Sequence, residues 1–478
     1  MKKNKWILLT ALMGTMFAGC GGETGVLNPK NPVTIEVWNY YNGDQKEAFD
    51  SLVKEFNETV GLEKGVVVES YGQGSVADLE KNVMAAIRGD VGASEVPDIF
   101  AAYADTAYSA DMMDAVVNLR DYLTEEEIAS YVDGYIEEGD FAGNGEIKIF
   151  PIAKSTEVMA VNKTDWEKFA QATGVDYEDI TTLEGLVETA RKYYEWTDAQ
   201  TPDVNGDGKA LYGRDSMANY MLIGGMQLGA EIFSVENGKM TLNFDEAAVR
   251  KLWDCYYVPF VKGYFAASGR FRSDDMKTGN VIAYTGSCSS ASYYPDTVSV
   301  SDTESYPIEI YVLPAPQFEN AQMYAVQQGA GMVVTKGTEQ EIAGSIEFLK
   351  WFTEAERNIR FAVESGYLPV KESANEKAAI LESGFTMDKD IENTLSVAID
   401  MVNENYMYTT KAFENGADAR NLLENAMSNQ ALADRAVVTE RLAAGESLEQ
   451  AVEEFCSDEY FKAWYESIKS QLEKWETK

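Results

Sequence analysis

The 478-residue chain contains no histidine. That absence removes Ser-His-Asp and Cys-His catalysis, a histidine general base and His-ligated zinc. Cysteine is scarce: Cys20, Cys255, Cys288 and Cys456 stand alone, with no CxxC pair to suggest a metal site. No GxxxxGKS/T loop occurs, so an ATPase role has no support. Bases are outnumbered, 40 Lys and Arg against 79 Asp and Glu, a net charge of −39. Such a surface repels nucleic acid and anionic lipid, which makes both improbable partners. We read the acidity itself as solubility rather than as a sign of a cationic ligand. What is plentiful is apolar: 45% of residues, with 12% aromatic, enough for large cores in two or three domains.

The most informative stretch runs from Val33 to Gly61. Val33, Ile35 and Val37 alternate with polar residues, the period of a strand with one buried face. Trp38, Asn39, Tyr40 and Tyr41 follow, then the turn residues Asn42-Gly43-Asp44. Phe49, Leu52, Val53, Phe56 and Val60 recur at helical spacing, and Gly61 stands where a C-cap glycine belongs. In open α/β sheets ligands bind beyond the carboxyl ends of the strands. Here that place carries three aromatics and an amide, which suit the flat faces and polar edges of a sugar. Simple packing of the same rings is the competing reading.

Residues 1–20 read as a targeting segment. Lys2, Lys3 and Lys5 precede an apolar run, Trp6 to Phe17, too short to span a bilayer. Phe17-Ala18-Gly19-Cys20 resembles a bacterial lipobox, with Phe17 where leucine is usual, and makes Cys20 the expected lipidated residue. Residues 21–32 read as a flexible tether. The mature chain is expected on the outer face of the cytoplasmic membrane, attached through the Cys20 lipid only. The other three cysteines are expected to be free and mostly buried.

Further on, a strand at Gly65–Glu69 meets a Gly-rich loop with Gln73, and a helix follows over Val76–Arg88. A third strand near Pro97–Phe100 leads to Tyr103 and Asp105. Repeated strand–helix units predict a parallel, doubly wound sheet. The runs VTIEVWNYY…EAFDSLVKEFNE, VPDIFAAYAD and IFPIAKSTEVMAVNKTDWEKF occur in that order behind the lipobox and tether. Together they resemble a family 1 extracellular solute-binding protein, the sugar-binding lipoprotein of a bacterial ABC importer, similar to maltose-binding proteins.

The resemblance implies a two-lobed α/β fold of the periplasmic-binding-protein type II kind. Each lobe is a sheet flanked by helices, and a hinge with several chain crossings joins them. The first lobe would take residues 33–152 and 325–369, the second 153–324 and 370–478. Ligand contacts implied or suggested are Trp38, Tyr40, Tyr41, Gln73, Tyr103, Asp105, Lys154, Ser155, Asn219, Tyr220, Tyr284, Ser287, Gly331 and Tyr367. Many sugar binders place a stacking aromatic just beyond the strand ending at Ser287. Here Ser287-Cys288-Ser289-Ser290 stands there, with Tyr293 and Tyr294 later.

Asp203, Asn205 and Asp207 match the first half of an EF-hand-like loop, but its twelfth position is Arg214 rather than glutamate. A bound calcium and a plain Asx/Gly turn are the two readings. No cofactor is required. The expected function is capture of a carbohydrate, an oligosaccharide, by a monomer that delivers it to the permease subunits of an ABC transporter, and not catalysis. A surface carbohydrate-active enzyme, a sensor domain and a receptor for a polyamine or another non-sugar solute are the alternatives.

Overall fold

The computed structural model describes residues 26–204, 206–236, 238–301 and 303–476. The targeting segment with Cys20, residues 21–25 of the tether, and Asn205 lie outside the described residues.

Strand β1 (Val33–Asn39) feeds helix α1 (Gly43–Glu58), β2 (Val66–Gly72) feeds α2 (Val76–Arg88), and β3 (Ile99–Ala102) feeds α3 (Ala104–Met112). The stripe Phe49, Leu52, Val53 and Phe56 of α1 is buried against the sheet. Helix α2 begins on a capping box. The Ser75 hydroxyl accepts from the Asp78 N–H, and the Asp78 carboxylate accepts from the Ser75 N–H. Gly61 is not a cap. Helix α1 stops at Glu58, a short helix covers Val60–Lys64, and Gly65 at φ 76° takes the left-handed closing position.

The chain then builds β4 (Glu157–Asn162), α4 (Leu183–Asp198), β5 (Tyr212–Arg214), α5 (Met217–Gln227), α6 (Arg272–Lys277), β6 (Ala283–Ser287) and β7 (Ile310–Pro314). It continues through β8 (Tyr324–Val326), β9 (Gly331–Val334), α7 (Glu339–Phe352), α8 (Ala355–Ser365), α9 (Lys389–Glu404), β10 (Tyr406–Tyr408) and the long α10 (Gly416–Ala443). The Thr338/Glu341 capping box opens α7, and Gly366 at φ 74° ends α8.

Two four-stranded sheets result. The first has the order β9-β3-β1-β2. Its strand β1 runs parallel to β2, with Val33 opposite Val66, and to β3, with Val37 opposite Ile99. Strand β9 closes the edge antiparallel to β3. The second sheet has the order β7-β4-β6-β5, and β4 runs antiparallel to both neighbours. Parallel pairing therefore organises the first sheet, while in the second it survives only between β5 and β6.

At that junction three passages of the chain lie side by side. Isolated bridges join Phe150 to Met332, Ser155 to Gln328 and Lys154 to Leu368. A later segment also spans both lobes. Strand β10 pairs with β8, Ala412 packs into the first lobe's core, and Phe413 packs into the second's. Cys255 and Cys288 are buried, Cys456 is half-buried, and all three are free thiols. Among the described residues no helix is long and apolar enough to cross a membrane.

Candidate functional site

Among the described residues two large hollows stand out. The larger, about 810 Å³, takes all of its lining from the second lobe, including Trp196, Tyr306 and Arg435. Hinge motion between the lobes would not act on it. The other, about 710 Å³, sits where the lobes meet. Tyr40, Asn42 and Gln45 line it from the first lobe, Gln328 and Tyr367 from the crossings, and Glu157, Asp215, Phe271, Ser287, Ser289, Tyr293 and Tyr294 from the second. This is the cavity whose shape depends on how the lobes stand, and we take it as the site.

The lobes touch across it. The Tyr293 hydroxyl donates to the Asn42 backbone carbonyl at 3.2 Å, and the Gln45 amide donates to the Ser289 carbonyl at 3.2 Å. The walls are aromatic. Tyr40 and Tyr367 rise from the first-lobe side, the latter held by ring contacts with Tyr41 and Phe361. Burial pushes the Tyr40 and Tyr367 phenols above their ordinary range, so both remain neutral donors. Facing them, Phe271 is 51% exposed and Tyr293 40% exposed, unusual for rings of that size unless something covers them.

The floor is a polar network. Asn219 donates through its amide nitrogen to Glu157 Oε1 and Gln328 Oε1, each at 2.9 Å. Its amide oxygen accepts from Arg420 at 2.7 Å. The other Glu157 oxygen pairs with the buried Arg214 guanidinium. Such a network fixes the rotamers of the groups that a ligand would meet.

Of the residues expected from sequence, Tyr40, Ser287 and Tyr367 line this cavity. Others stand one layer behind it. Tyr41 packs against Phe49 and Phe361, and Asn219 braces Glu157 and Gln328. Tyr103 lies close enough to Tyr40 to influence its phenol. Asp105 faces Arg420 and Glu80, and burial pushes its carboxyl up to about 6.

Several expectations are corrected. Trp38 is 3% exposed in the first-lobe core, its indole N–H bonded to Glu36, so it cannot stack on a solute. Lys154 is fully buried and spends its ammonium on Glu138 and on the Gly329 carbonyl at 3.0 Å, which leaves nothing for a ligand hydroxyl. Ser155 is buried in the bridge to Gln328. Tyr220 donates to the Leu252 carbonyl at 2.8 Å inside the second-lobe core, and Tyr284 is buried beside Tyr294. Gln73 accepts from Asn82 at 2.9 Å outside the cavity lining. Gly331 matters as a strand residue, since a Cβ there would collide with Ile149.

Asp207 accepts from the Thr201 hydroxyl at 2.6 Å, and Asp203 is exposed. Among the described residues no group of three acids or cysteines gathers to hold a metal. Residues missed from sequence include Asn42, Gln45, Glu157, Asp215, Phe271, Asp274, Asp296 and Gln328. Only the serine run at 287–290 with Tyr293 and Tyr294 gave any signal of the second wall.

Asp215 allows a test of the floor. Burial pushes its carboxyl up to about 6. Glu157 and Asp275 add to this, while the Arg272 N–H and guanidinium oppose it. An unfolded aspartate titrates near about 3.9. The folded state therefore holds this proton more tightly. The group costs stability above about pH 6, and that cost fades as the pH falls toward about 4. Asp215→Asn is expected to exceed the parent by on the order of 2 kcal/mol at about pH 7.5 and to match it at about pH 4, in paired urea unfolding. No difference at either pH would contradict the burial.

Two α/β lobes, side-by-side crossings and a cavity walled by both lobes define a hinged binding protein. A family model described as bacterial extracellular solute-binding protein matches residues 51–393, and the chain belongs to that family. Solved structures share the fold across nearly their whole length. A cyclic α-maltosyl-1,6-maltose binding protein from Arthrobacter globiformis matches at TM-score 0.63 and 18% identity, over 92% of this chain and 99% of that one. UgpB from Mycobacterium tuberculosis, in complex with glycerophosphocholine, matches at 0.63 and 18% over the same shares. The maltose/maltodextrin-binding domain MalE from Bdellovibrio bacteriovorus, bound to maltotriose, matches at 0.62 and 12%, over 91% and 99%. No curated protein sequence matches this chain.

Proposed function

We propose that this chain captures a carbohydrate, an oligosaccharide, in the cavity between its lobes and hands it to the permease of an ABC importer. The observation that carries the reading is the pair of aromatic walls, Tyr40 and Tyr367 against Phe271, Tyr293 and Tyr294, closing over a floor of carboxylate, amide and hydroxyl groups. Rings stack on sugar faces, and the polar groups match hydroxyls. Neighbours in the fold whose names state maltose-type ligands support the choice of solute. Contacts across the cleft, Tyr293 to Asn42 and Gln45 to Ser289, would form and break as the lobes close and open. The protein acts as a monomer, anchored outside the cytoplasmic membrane through Cys20, and releases its solute unchanged. Calcium, if it binds, does so at the loop of Asp203 and Asp207 and steadies that loop without touching the solute.

Thermal unfolding against mono- and oligosaccharides, polyamines and calcium tests this. A solute that binds only the folded protein, at ~100 times its Kd, adds about 2.7 kcal/mol. The expected result is a rise with an oligosaccharide that is recovered intact. Consumption of the sugar would make the protein an enzyme, and a rise with polyamines alone would reassign the solute.

A further inference from the structure

We propose that the oligosaccharide taken by this cleft is cationic, built from amino sugars whose nitrogens are free and protonated. This rests on the reading above that the solute is a carbohydrate. The argument is the charge of the lining. Glu157, Asp215, Asp274 and Asp296 face the cavity, against Lys277 as its one base among the described residues. Among the described residues Glu157 has a close cation, Arg214, and Asp215 a more distant one, Arg272, from whose backbone N–H it also accepts at 2.8 Å.

The other three carboxylates lack a strong partner. Asp215 lies 3.7 Å from Arg272, whose guanidinium is engaged by Asp275 at 2.5 Å. Asp274 and Asp296 have no ion pair among the described residues; Asp274 accepts only backbone and capping contacts such as the Phe271 N–H at 3.1 Å. Further acids press on the same space. Asp44 acts on the Tyr293 phenol, and Asp388 and Asp296 act on Asp390. The bases nearby are Lys277, Lys389 and Arg270, which lies over the Phe271 ring at 5.2 Å. A neutral sugar needs acceptors, but not this surplus of negative charge. These four carboxylates all stand on the second lobe; closing the first lobe over them brings Asp44 toward them and dries them, which is unfavourable without a counter-charge. An ammonium on the solute supplies that charge, and the Tyr40, Phe271, Tyr293 and Tyr294 rings that line the cavity favour a cation over their faces. The sugar ring to which the nitrogen is attached stacks as before.

Calorimetric titration of the purified protein decides it. The probes are glucosamine, N-acetylglucosamine and glucose, the α- and β-1,4-linked glucose tetramers, the β-1,4-linked glucosamine tetramer and its N-acetylated form, and spermidine as the polyamine. The free amine should bind at least ~10-fold more tightly than its acetylated or neutral counterpart, and this margin should shrink as salt rises. Asp274→Asn with Asp296→Asn, both on the exposed rim, should cut the margin to a few-fold, because free-amine binding falls more than neutral-sugar binding; an undiminished margin would overturn the inference. Equal or tighter binding of a neutral or acetylated member overturns the inference and leaves the carbohydrate reading standing. Binding of a polyamine with no binding of any saccharide overturns both.

Discussion

Lys154→Met is expected to cost about 3–5 kcal/mol of folding stability, because it strands Glu138 as an unpaired charge in the junction between lobes. Lys154 is fully buried and the side chain of Glu138 is 3% exposed, and the same ammonium also donates to the Gly329 carbonyl at 3.0 Å. The pair sits where the passages through Lys154, Gln328 and Leu368 run together. Removing one partner therefore loosens the seam about which the lobes turn. Adding Glu138→Leu to Lys154→Met should recover most of the loss, since a buried ion pair replaced by apolar groups is often neutral or stabilising. Urea unfolding of the two variants checks this. A single-variant cost under about 1 kcal/mol would mean that water reaches the pair.

Tyr293→Ala should weaken solute binding by about 10- to 100-fold, or roughly 1.4–2.7 kcal/mol, while leaving the stability of the free protein within about 0.5 kcal/mol. The ring is 40% exposed, so little core is lost with it. It supplies both a stacking face and, through its hydroxyl, the contact to Asn42 on the opposite lobe. Tyr293→Phe separates the two roles, because it keeps the face and loses the bridge. We expect it to recover more than half of the lost binding energy by calorimetry. A Tyr293→Ala variant that binds as the parent does would remove the second wall from the account.

The fold was readable wherever a local rule decided it. Helix α2 runs over Val76–Arg88 as expected, behind the Gly-rich loop, and Gly366 ends α8 where a left-handed residue is needed. The site was harder to read because its chemistry depends on partners distant in sequence. Trp38 looked available because β1 was read with one buried face. The first sheet is covered on both faces at its carboxyl end, so Val37, Trp38 and Asn39 are all buried. Lys154 looked like a free pocket base because nothing in the sequence places Glu138 beside it. The same holds for Glu157 and Arg214, which meet only once β4 and β5 take their places on either side of β6. The apparent absence of a stacking ring after Ser287 was a matter of spacing. The turn over Cys288–Tyr293 delivers Tyr293 and Tyr294 to the cleft a few residues later.

The central claim is that a solute is held between the lobes. Hydrogen exchange at the backbone, measured with and without the tightest-binding saccharide, tests it most directly. The account predicts added protection on both walls at once, over residues 40–45 and 287–297, together with Gln328 at the crossing. Protection confined to the hollow of the second lobe around Trp196, Tyr306 and Arg435, with both walls of the cleft unchanged, would contradict it.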